Sequence, residues 1–189
     1  MAEKPTHKLI YGIIRIQETV NNKDTLSMYC VIIDRENIVA IPAEYELADK
    51  LDLTTLTRDG WRFPWSNIWH KVGGNVFKIV ADGKIQGLLS VVNDIEAQSV
   101  LIRNIESSPE NKDGGKYVVG PTLIAIAAKY SFDVGQEGYM IIKPKNRNLA
   151  NYYASSDVGA VPVAPLKLHF YPQQSQLLIN KFLTKREGL

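Results

Sequence analysis

Apolar positions recur along this chain in two rhythms. Short runs rich in β-branched and aromatic residues, bounded by Gly, Asn and Asp, read as strands. They fall at residues 9–17 (LIYGIIRIQ), 28–34 (MYCVIID), 76–81 (VFKIVA), 84–92 (KIQGLLSVV), 99–105 (SVLIRNI), 138–143 (GYMIIK) and 166–171 (LKLHFY). The polar link between the first two suits a hairpin-like connection, and Asp82-Gly83 between the third and fourth is a strong two-residue hairpin signal. A second turn is expected at Asn93-Asp94. Residues 37–46 begin as a strand, but Pro42 argues against a central one.

The second rhythm is helical. Residues 121–131 (PTLIAIAAKYS) are apolar on nearly every face, which predicts a helix buried against a sheet. Pro121 fits the start of such a helix, where its missing N–H costs nothing. Shorter helices are expected over 48–57 and 146–156, and an amphipathic one over 173–183. Residues 157–165 read as a Gly/Pro/Ala connection. The expected architecture is α/β in layers: one mixed, largely antiparallel sheet on strands 76–81, 84–92, 99–105, 138–143 and 166–171, with the 121–131 helix packed on it.

Composition narrows the class. At 189 residues, 45% hydrophobic and 22% charged, the chain suits one soluble domain with a proper core. A formal net charge of +2 implies no dedicated nucleic-acid or membrane partner, and homo-oligomerisation stays open. The start, MAEKPTHK, is polar, with no secretory signal, and no apolar run approaches ~20 residues, so a cytoplasmic protein is expected. Cys30 stands alone in an apolar run and reads as a buried thiol. His7, His70 and His169 lack ligand spacing, so no metal site is expected.

Two stretches carry candidate chemistry. Strand 99–105, the breaker PENKDGG and the helix opening at Gly120-Pro121 form the strand–loop–helix that aims backbone N–H groups and a helix dipole at a phosphate. Neither the dinucleotide glycine pattern nor the P-loop lysine is present, so plain α/β connectivity is the commoner reading of the stretch and a smaller phosphate cradle the alternative. Trp61, Trp65 and Trp69 cluster in WRFPWSNIW. They form either a satellite hydrophobic cluster under a loop or, with Trp61 and Trp65, the aromatic wall of a substrate pocket.

Three antiparallel strands, a helix behind a breaker loop, a strand, a short tyrosine-bearing helix and a strand resemble the GCN5-related N-acetyltransferase superfamily. The resemblance covers residues 76–170 and rests on NIESSPEN, GPTLIAIAAKYS and NRNLANYY, where Asn146, Leu149 and Tyr153 stand at motif positions. GWRFPW and IESSPEN also match a branch with Gly-Trp-x-Phe-x-Trp and Ile-Glu-x-x-Pro-x-Asn segments. The implied layout is a single domain over 1–189. It comprises a divergent part (1–75), a cofactor-binding core (76–170) and a C-terminal helix (171–189).

The resemblance implies acetyl transfer from acetyl-CoA to an amine of a small-molecule or protein acceptor. It implies cofactor contacts at Ile105, Val118, Gly120, Thr122, Leu123 and Asn146, with the N–H groups of Gly120, Thr122 and Leu123 on the pyrophosphate and the backbone after Arg103 on the thioester carbonyl. Glu106 is either the general base, its pKa raised by burial beside the tryptophans, or a surface glutamate at a strand end; Tyr153 is either the general acid or a core tyrosine. The cofactor loop departs from the family pattern. Val118 replaces the first motif glycine, the leading basic or amide residue is missing, and Pro121 removes one N–H. The alternative is a non-catalytic member that binds acyl-CoA or acts through protein contacts.

Overall fold

The computed structural model describes residues 28–184; the expected strand at 9–17 and its link lie outside them. The central hairpin is built where the sequence places it. Strands β3 (Val76–Ala81) and β4 (Lys84–Asp94) pair antiparallel through Asp82 and Gly83. Both turn residues have positive φ, 52° and 68°, as a hairpin turn matched to strand twist requires. β4 runs on through Asn93-Asp94, and its turn comes at residues 95–98, where the Asp94 carboxylate accepts the Ala97 N–H at 3.0 Å. β4 then pairs with β5 (Ser99–Ser107).

Strand alternation feeds two cores. Phe77 and Leu89 pack on one face of the sheet, Val76 and Leu88 on the other. The first face carries α3 (Gly120–Asp133), whose residues 121–128 are all buried, and α5 (Pro172–Phe182). Leu123, Ile124 and Ile126 are essentially inaccessible; at about 1.5–3 kcal/mol per large buried side chain, packing rather than helix propensity fixes α3. The second face carries α1 (Lys50–Leu53) and α2 (Trp65–Lys71), shorter than the expected 48–57 helix. α1 begins with a capping box between Asp49 and Asp52.

Around this centre the sheet widens. β1 (Met28–Asp34) pairs with β2 (Val39–Leu47), and β2 with β3. Pro42 is accommodated because β3 pairs only with Glu44–Leu47 of β2, leaving β2 an edge on that side at Pro42. Two-residue strands β6 (Tyr117–Val118) and β10 (Leu183–Thr184) both pair with β1. On the far side β7 (Met140–Ile142) runs parallel to β5, followed by β9 (Lys167–Phe170) and β8 (Val161–Ala164). β8 replaces the connection expected at 157–165; its residues are exposed and include Pro162, as suits a sheet edge. α4 (Arg147–Tyr153) links β7 to β8. The strand order is β10-β1-β2-β3-β4-β5-β7-β9-β8, with the β5–β7 pair its only parallel one among the described residues.

Candidate functional site

The sheet opens between its two parallel strands. β5 and β7 pair from Val100 with Met140 to Ile102 with Ile142, and β7 ends there while β5 continues to Ser107. On its other side β5 bulges: Ser90 faces Asn104 and Val91 faces Ile102, so Arg103 is the extra residue. A bulge leaves its extra residue unpaired and bends the strand. Beyond Ile102, β5 has no partner on the β7 side among the described residues, and its backbone donors and acceptors there face a cleft.

Two adjoining cavities occupy the opening, and Ile105, Glu106, Ser107, Leu149 and Tyr153 line both. One, about 300 Å³, lies on the α3 face and is walled by Val118, Val119, Gly120, Leu123, Tyr152 and Arg35. The other, about 470 Å³, lies toward α2, where Arg62 and Phe63 close it. Gly87 on β4 explains why α3 starts so near the cleft. A Cβ there would lie 3.0 Å from Leu123 and 3.1 Å from Val119, so the helix start sits directly on the strand.

Glu106 is buried and fully engaged. Its Oε1 accepts from the Arg62 N–H at 2.8 Å and the Lys112 ammonium at 2.6 Å. Its Oε2 accepts from the Trp65 indole at 2.8 Å and the Phe63 N–H at 3.2 Å. Burial alone pushes the carboxyl up. Lys112, the two backbone donors and the indole outweigh burial and hold it below the usual carboxylate range. The raised pKa expected from the tryptophan cluster is thus overturned, because those neighbours bring donors as well as apolar surface.

Tyr153 is buried in the cleft wall, and burial, with Tyr152 beside it, pushes its phenol up to about 12. Trp61 and Trp65 do not line the cleft. They belong to the core beneath it, and their neighbours Arg62 and Phe63 face the cavity instead. Phe63 stands edge-on to Trp65, with ring centroids 5.9 Å apart. Trp69 is tied to the Ala48 carbonyl at 3.0 Å.

At the start of α3 the expected donors divide. The Leu123 N–H is spent on Val119 O at 3.0 Å, which leaves those of Gly120 and Thr122 as first-turn donors without an intrahelical partner. The Leu123 side chain still lines the cavity, whereas the Thr122 hydroxyl turns away to Val31 O at 2.8 Å. Asn146 lines neither cavity; it caps α4 by accepting the Leu149 N–H at 2.9 Å. Val118 is a strand residue paired with Ile33, which accounts for a β-branched side chain where the family pattern has glycine.

Arg35 escaped the sequence reading. It follows β1, its N–H donates to Lys116 O at 2.9 Å and its Nε to Gly115 O at 2.8 Å. The guanidinium thereby joins the wall facing the start of α3. No local pattern signals it, because a long-range strand pairing brings it there. Among the described residues no cluster of His, Cys, Asp and Glu suits a metal ion, and no helix is long and apolar enough to cross a membrane.

No protein-family model matches the chain, and no curated protein matches it in sequence. Solved structures do match in shape. AtaTR bound with AcCoA superposes with a TM-score of 0.51 at 15% identity, covering 72% of this chain and 97% of that one. AtaT bound to the C-terminus of the antitoxin AtaR gives 0.49 at 14% identity, covering 74% and 98%. Ard1 from Thermoplasma volcanium gives 0.46 at 10% identity, covering 67% and 93%. The fold is that of the GCN5-related N-acetyltransferases.

Proposed function

We propose that this chain is an acyltransferase that moves an acetyl group from acetyl-CoA to an amine. The observation that carries the reading is the opening of β5 from β7 at an Arg103 bulge, with the start of α3 at one mouth. The residues fit the cosubstrate. The unpaired edge of β5 after Ile102 suits the amides of a pantetheine arm, as an added strand would. Gly120 and Thr122 N–H groups, the α3 dipole and Arg35 suit a pyrophosphate. Arg35 supplies the cation that the cofactor loop lacks at its own first position.

Bound there, acetyl-CoA supplies an acyl group activated as a thioester. The chain's own part is to orient, polarise and move protons. The backbone after Arg103, past the end of β7, offers a donor to a carbonyl oxygen. Tyr153, protonated at every physiological pH, holds its proton at Oη for a departing sulfur. Glu106 serves here as a positioning residue rather than a base: with four donors on two oxygens it anchors the Arg62–Phe63 wall.

A second reading, a module that binds acyl-CoA without turnover, draws on that same saturation of Glu106. One experiment separates them: thiol release from acetyl-CoA across an amine panel, with the product mass measured. Acetylated product, lost at least about tenfold in Tyr153→Phe while acetyl-CoA affinity stays within a few-fold, supports the enzyme. Binding of acetyl-CoA with no product from any amine supports the module.

A further inference from the structure

The cavity on the α2 side is strongly one-signed. Arg62, Arg103, Lys112, Lys143 and Lys145 line it, against the carboxylates of Glu106 and Asp113. The chain as a whole is nearly balanced, with 22 Lys and Arg to 20 Asp and Glu, so the concentration is local. Lys112 is committed to Glu106. The other four cations are exposed, and none has a carboxylate partner among the described residues.

Resting on the acyl-transfer reading, we propose that the acceptor is a small amine that also carries an anionic group, a carboxylate or a phosphate, held by this cationic wall. A simple ammonium ion or a polyamine would be repelled from such a cavity. A carboxylate or phosphate would meet two guanidinium groups able to bind it in a fork. At about 470 Å³ the cavity suits a small molecule.

The same wall answers a question left by Glu106. An acceptor amine reacts only after its ammonium form loses a proton, and Glu106 has no free capacity to take it. Neighbouring cations disfavour a further positive charge and lower the pKa of a bound ammonium. The anionic group brings the acceptor in; the surplus of cations then favours its neutral amine, and the proton leaves to water. The nitrogen lone pair then forms the C–N bond as the C–S bond breaks. The sulfur keeps the bonding electrons and takes a proton from Tyr153, and the amine's remaining excess proton passes to solvent, restoring Tyr153 by exchange.

The test uses matched acceptors: β-alanine against β-alaninamide, 2-aminoethyl phosphate against ethanolamine, and spermidine as a polycation. We expect kcat/KM at least about tenfold higher for the anionic member of at least one pair, with spermidine lowest, and a preference that shrinks in high salt. The phosphate and carboxylate pairs distinguish the two anions. In Arg62→Gln/Lys143→Gln the anionic-to-neutral ratio should fall at least about fivefold. A neutral or cationic preference, or an unchanged ratio in that variant, overturns the proposal. Should no amine be acetylated, N-acetyl-β-alanine and its amide are compared by thermal shift in the presence of CoA. Selective stabilisation by the anion upholds the cavity's charge preference while the transfer reading falls; equal or absent stabilisation overturns the anion proposal as well.

Discussion

The Trp65 indole donates to Oε2 of Glu106 at 2.8 Å, joining the hydrophobic core under α2 to the end of β5. Glu106 is therefore a structural anion. Glu106→Gln removes its charge and turns one acceptor oxygen into a donor facing other donors. We expect a loss of about 2–4 kcal/mol in urea unfolding at pH 7. Its folded pKa is depressed, so the stabilisation is complete above the ordinary carboxyl value of ~4.3 and disappears as pH falls through the lower folded value. The gap between parent and variant should narrow in that window. A gap that is constant from pH 7 to 3 would contradict the assignment.

Gly115 permits the tightest approach in the loop before α3. A Cβ there would stand 1.9 Å from Glu110 O and 2.8 Å from the Asn111 Cα, both backbone atoms that cannot step aside. Asn111 in turn bonds the Gln86 side chain at 2.8 Å and the Tyr117 N–H at 3.0 Å. Gly115→Ala should cost about 1–3 kcal/mol and weaken CoA binding together with stability, read by thermal melts with and without CoA.

The proposed phosphate cradle is tested by charge. CoA should raise the melting temperature of the parent according to its concentration over Kd. Gly120→Asp puts bulk and a negative charge where the Tyr152 hydroxyl already lies 3.0 Å from the Cβ position, and should abolish the rise. Arg35→Gln should weaken CoA binding about three- to thirtyfold and flatten its salt dependence. An unaltered affinity in Arg35→Gln would remove Arg35 from the site.

Tyr153 makes a prediction about pH. With its phenol pushed up to about 12, it stays protonated across the working range. If it serves as the acid, the rate should show no alkaline decline of its own below about pH 10. A decline near pH 8 that vanishes in Tyr153→Phe would mean a far lower pKa than its burial dictates.

The core of the fold was legible because its signals are local. Asp82-Gly83 fixes the β3–β4 hairpin, and a 121–131 run apolar on nearly every face points to a buried helix. β8 was not, since VPVA carries no alternation and becomes a strand only by pairing with β9. The site was half legible. Glu106 and Tyr153 line one cleft, but Arg62 and Phe63, adjacent in the chain between Trp61 and Trp65, face the cavity in place of the tryptophans. The state of Glu106 depended on donors from Arg62, Phe63 and Trp65, far away in sequence and invisible to any local pattern.

Strand β1 sets an order of assembly. Its outer edge is shared by Val118, paired with Ile33, and by Leu183, paired with Cys30. The segment that positions Arg35 stands at one limit of the described chain and is thus paired with residues from its middle and from its other limit. Contacts so distant in sequence close late, because loop entropy must be met before they form. A chain emerging from the ribosome would complete its central hairpins well before the edge that faces α3, so affinity for CoA should be among the last properties it acquires.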